Sequence, residues 1–86
     1  MKVHGIEITE EQINAGKSAM IGEFTKSEVA QRMVRAGVPV LSGSGWRTEH
    51  VLERAVDRLL QRQRKSGAIK AVTNRIWKAY EPSPSQ

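Results

Sequence analysis

Few residues in this chain have the types and spacing that chemistry needs. There are two histidines, His4 and His50, and no cysteine. Disulfides, thiolate metal sites and thiol nucleophiles are therefore excluded, and zinc clusters lack their usual ligands. His50 follows Glu49 directly, but acid–base catalysis also needs a nucleophile and a pocket converging on the imidazole, and the sequence supplies neither. It reads as a solvated histidine or a polar contact. Gly16-Lys17-Ser18 matches the end of a phosphate-binding loop, yet Glu11 stands where that motif needs its first glycine, and the segment falls inside an expected helix. Ser42-Gly43-Ser44-Gly45 offers amides and hydroxyls to a phosphate but is better read as a flexible connector with a serine cap. No catalytic residue, cofactor or metal is expected.

Charge is the stronger signal. The 86 residues carry a net charge of +5, with a sequence pI near 10.1. The distribution is uneven: residues 1–31 are −2 and residues 32–86 are +7. From Arg58 to Lys78 there are seven basic residues and no acidic one. A cationic surface of this kind suits phosphates or another acidic partner.

The basic residues are also ordered. With helical positions about 100° apart, Arg47, Arg54, Arg58 and Lys65 fall on one stripe, with His50 and Gln61 beside it. Glu49, Glu53 and Asp57 lie on the other side of the exposed surface. These carboxylates follow one another at intervals of four, a like-charge spacing that costs an isolated helix a few tenths of a kcal/mol, approximately, per pair. Such a helix is better suited to presenting a cationic edge than to standing alone. Arginines can read guanine bidentately, Gln61 or His50 can meet a base edge, and Lys65, Lys70 and Arg75 suit phosphates.

The elements that must position these residues are legible. Thr9-Glu10-Glu11-Gln12 is a capping box flanked by the staple pair Ile8 and Ile13, opening a helix from about Glu10 to Ile21. Its inner face comprises Ile13, the Lys17 stem, Met20 and Ile21. Thr25-Lys26-Ser27-Glu28, with Phe24 and Val29, opens a second helix to about Ala36, facing inward through Val29, Ala30, Met33 and Val34. The stretch from Gly37 to Gly45 is expected to be a loop. A third helix, at about 46–66, carries Val51, Leu52, Ala55, Val56, Leu59 and Leu60 as its buried stripe. Beyond Gly67, AIKAV and RIWKAY are β-prone runs separated by Thr73-Asn74, where Asn74 tolerates the left-handed conformation of a tight hairpin turn. Trp77 and Tyr80 are expected to pack that hairpin onto the core. Trp46 suits either stacking on a base or covering the start of the third helix.

The order helix, short extended Gly22-Glu23-Phe24-Thr25, helix, loop, long helix and hairpin resembles the winged helix-turn-helix family over residues 9 to 80. Gly22-Glu23-Phe24-Thr25 leading into Glu28-Val29-Ala30 looks like the short strand and second helix of that fold. Leu59-Leu60 through Lys65-Ser66-Gly67-Ala68-Ile69 looks like a recognition helix turning into its wing. The loop from Gly37 to Gly45 is longer than the family's tight turn, and VHGIEI, a short strand or an ordered arm, precedes the pattern. The resemblance implies a small α+β domain over 1–80, with a wing at about 68–80. The third helix would enter a major groove and the wing would touch the backbone or minor groove.

The expected function is a non-catalytic double-stranded DNA-binding module, a small transcriptional regulator or a recombination or replication accessory protein. The alternative is a winged helix that binds a protein partner or a second copy. No small-molecule substrate is evident, and a chain this short has little room for a deep cavity. No apolar run reaches the ~18 residues of a membrane span, and the first residues lack a signal-peptide pattern, so a cytoplasmic protein is expected. The tail 81–86, rich in proline and serine, is expected to be disordered.

Overall fold

The computed structural model describes residues 1–44 and 47–80. The expectations for Gly45, Trp46 and the tail 81–86 lie outside them. The chain begins with a hairpin, β1 (Lys2–Val3) and β2 (Ile6–Glu7), in which Val3 pairs with Ile6. His4 and Gly5 make its turn at φ 48° and 80°. Two successive left-handed residues match the right-handed twist of the flanking strands, and histidine tolerates that region better than most residues. VHGIEI is thus neither an arm nor a single strand, and fully buried Val3 joins it to the core.

Helix α1 (Glu10–Ser18) opens with the expected reciprocal capping box between Thr9 and Gln12. It stops short of the expected Ile21, which is 76% exposed and not on the inner face. The chain here turns out through Ala19 and Met20 into β3 (Glu23–Thr25). Helix α2 (Lys26–Arg35) has the second capping box, between Thr25 and Glu28. It buries Val29 and Met33 fully, whereas Val34, expected inside, is 40% exposed.

The segment after α2 differs most from expectation. In place of a loop there is a second hairpin, β4 (Ser42–Ser44) paired with β5 (Arg47–Glu49). Ladder hydrogen bonds hold residues 47–49 extended, so α3 spans Val51–Lys65 and begins later than expected. His50 occupies its N-cap without a side-chain capping bond, so no serine cap is formed there. The apolar stripe of α3 is as expected: Val51, Ala55, Val56, Leu59 and Leu60 are buried, and Leu52 partly so.

Gly67, at φ 83°, ends α3 in the left-handed conformation, and the amides of Gly67 and Ala68 bond back to Arg64 and Gln63 carbonyls. This glycine-dependent cap turns the chain into β6 (Ile69–Ala71) and β7 (Ile76–Ala79). The hairpin turn does not use a left-handed Asn74. Instead the Thr73 hydroxyl accepts from the amides of Arg75 and Ile76. β7 also pairs with β3, giving an antiparallel sheet ordered β3-β7-β6.

The helices meet at Gly16, the buried residue of α1, where an added Cβ would lie 2.8 Å from Leu59 Cδ2 and 2.9 Å from Met33 Cγ. Phe24, Val29, Met33, Val56, Leu59 and Ile69 bring sheet and helices into one core. Each such side chain contributes about 1.5–3 kcal/mol relative to full exposure. The described residues form a small compact α+β domain of three helices and antiparallel strands. Among the described residues, no helix is long and apolar enough to cross a membrane.

Candidate nucleic-acid interface

Because the apolar stripe of α3 is turned into the core, with Leu52 only partly covered, its polar residues are forced onto the opposite face. Arg54, Arg58, Gln61 and Lys65 are exposed there, and with Arg62, Asp57 and Met1 they line an open groove of about 500 Å³. Arg58 is also tied down: its Nη1 donates to the Lys2 carbonyl. Four basic side chains thus border one groove, with one carboxylate among them.

A second groove, of about 530 Å³, lies between the N-cap and first turn of α2 (Thr25, Lys26, Ser27) and the β6–β7 turn (Asn74, Arg75). Asp57 and Gln61 line it too, so these side chains join the two grooves. Half-buried Trp77 packs against the core as expected and also borders this groove. Arg75 is therefore brought close to the α3 face.

The carboxylates gather in a third cleft, of about 310 Å³, with His4, His50 and Arg54. His4 Nδ1 is 3.4 Å from Glu49 Oε2, and Lys26 Nζ pairs with Asp57 Oδ1. Glu53 lines the neighbouring cleft beside Lys26 and Ser27. Glu53 and Asp57 thus face the N-terminal turn of α2, where a lysine and the positive end of the helix dipole offset them, while Glu49 faces His4.

Three expected site residues depart from the expected helical stripe or the basic groove. Arg47 lies in β5, so it cannot continue a helical stripe through Arg54, Arg58 and Lys65. Lys70, on β6, extends its ammonium over the Tyr80 ring, 5.6 Å from the centroid, and borders a recess with Gly22 and Lys78. Tyr80, expected in the core, is 54% exposed. His50 borders the acidic cleft rather than the basic groove. Arg62 and Lys26 were missed. Arg62 was detectable, four residues after Arg58 within the same acid-free run; Lys26 is tied to Asp57 by tertiary structure alone.

Glu7, outside these grooves, accepts a 2.9 Å hydrogen bond from the Met1 ammonium, which holds its carboxyl below the ordinary value of 4.5. Among the described residues no group of three or more histidine or carboxylate side chains is arranged to hold a metal ion. No protein-family model, curated protein or solved structure matches the chain.

Proposed function

We propose that this protein is a winged helix-turn-helix module that binds double-stranded DNA without performing chemistry, as a small transcriptional regulator or a recombination or replication accessory protein. The observation that carries this reading is the convergence of Arg54, Arg58, Arg62 and Lys65 on one groove, continuous through Gln61 with the groove that reaches Arg75. The element order and the β3-β7-β6 sheet support the winged-helix assignment. The hairpin β4–β5 then replaces the tight turn between the second and third helices. In this reading α3 enters the major groove, Arg75 meets the backbone beside it, and Gln61 faces base edges.

The test is a fluorescence anisotropy titration with mixed-sequence duplex DNA at several salt concentrations. Five phosphate contacts, from Arg54, Arg58, Arg62, Lys65 and Arg75, correspond to a log–log slope of roughly −4.5. Substituting Arg54 and Lys65 by alanine should flatten the slope by about two units while the circular dichroism spectrum is kept. No binding even at low salt sinks the reading.

A protein-binding role is the second reading, and one observation favours it. An apolar cleft of about 370 Å³ lies between α2 and α3, lined by Ala30, Val40, Leu52 and Val56, and Val40 is 53% exposed. Light scattering that finds a stable dimer, disrupted by Val40→Asp and indifferent to duplex DNA, would move the assignment there.

A further inference from the structure

We propose that Lys26 is a positioning residue of the duplex interface, acting by cancelling the charge of Asp57; the proposal rests on the DNA-binding reading above. Asp57 lines each of the three grooves that surround the outer face of α3. It precedes Gln61 by one helical turn and shares the first groove with Arg54 and Arg58. An uncompensated carboxylate there would repel phosphates from the surface that the arginines build.

Lys26 is the first residue of α2 and reaches Asp57 across the helix–helix junction. The two side chains are 42% and 47% exposed. Pairs this open contribute little to folding stability. Their effect on an approaching polyanion is larger, because a charge at the rim of an interface changes the field the partner meets. Lys26 also lines the groove leading to Asn74 and Arg75. The positive end of the α2 dipole acts in the same direction. Lys26 thereby lets a residue of the acidic flank sit beside Gln61 without interrupting the cationic surface.

Simple loss of a lysine would weaken DNA binding for many reasons, so the test is a double-mutant cycle on the whole chain. Duplex affinity is measured by anisotropy at low salt for the unsubstituted protein, Lys26→Met, Asp57→Asn and the double variant. Circular dichroism melts confirm folding, and Lys26→Gln serves as a second substitution should Lys26→Met fold poorly. The expected result is coupling. Lys26→Met weakens binding about fivefold or more, Asp57→Asn alone changes it less than about twofold, and the double variant returns to within about twofold of the starting affinity. Equal gains from Asp57→Asn with and without Lys26 overturn the proposal, because the charges then act independently. An unrecovered loss in the double variant also overturns it, because Lys26 then meets the duplex directly. Both outcomes leave DNA binding itself intact, whereas no binding by the unsubstituted protein removes that reading and this inference together.

Discussion

Arg58, on the outer face of α3, donates through Nη1 to the main-chain carbonyl of Lys2, so the basic edge is fastened to the N-terminal hairpin. The bond joins residues 56 positions apart, and Val3, next to Lys2, is fully buried in the core. A single arginine thus serves the fold and borders the proposed DNA groove. Arg58→Ala should lower stability by about 0.5–1.5 kcal/mol, the usual range for one hydrogen bond, whereas Arg62→Ala should leave stability within about 0.5 kcal/mol. Urea unfolding of both variants checks this, and equal stability losses would contradict it.

Gly16 is where α1 packs against both α2, at Met33, and α3, at Leu59. Alanine is favoured over glycine in a helix by up to about 1 kcal/mol, but here its Cβ would lie 2.8 Å from Leu59 Cδ2 and 2.9 Å from Met33 Cγ. Leu59 and Met33 are fully buried, so admitting the new methyl requires both to shift within the packed core. Overpacking should exceed the propensity gain, so Gly16→Ala should be destabilising by about 1–2 kcal/mol. A raised melting temperature would show instead that the junction relaxes easily.

Thr25 ends β3 and caps α2, its hydroxyl accepting from the Glu28 amide while Glu28 bonds back to the Thr25 amide. Thr25→Ala should cost about 1 kcal/mol. Thr25→Ser keeps the acceptor and should recover most of that loss. The pair of melts separates capping from loss of the threonine methyl.

Glu7 supplies a pH signature. Its carboxyl is held below the ordinary value by the hydrogen bond from the Met1 ammonium, then by that group's charge. A depressed folded-state pKa means the contribution is fully present above the unfolded value and is lost as pH falls through the folded one. Glu7→Gln should therefore reduce the acid sensitivity of the melting temperature below about pH 4.5 and change little at pH 7. Parallel melting curves for both proteins across that window would exclude the effect.

Much of this architecture was legible because its signals are local. The capping boxes at Thr9 and Thr25, the stop at Gly67 and the buried stripe of α3 each depend on residues within a turn or two of one another. The basic groove was partly legible for the same reason: Arg54, Arg58 and Lys65 share a helix face by spacing alone. Arg47 was misplaced because nothing local distinguishes a helix beginning at 46–48 from a strand. Pairing with Ser42–Ser44 decides that, and such cross-strand hydrogen bonds leave little trace in a three-residue run.

By itself the sequence determined where α1 and α2 open and α3 ends, which face of α3 is apolar, and that the excess positive charge belongs to its second half. Only the tertiary structure decided which charges meet. It set Lys26 against Asp57, fastened Arg58 to Lys2, brought Arg75 to the α3 face and left Lys70 over Tyr80 elsewhere. Charge, unlike backbone capping, acts through space between groups far apart in the chain. Its balance is therefore fixed by how the helices and hairpins pack.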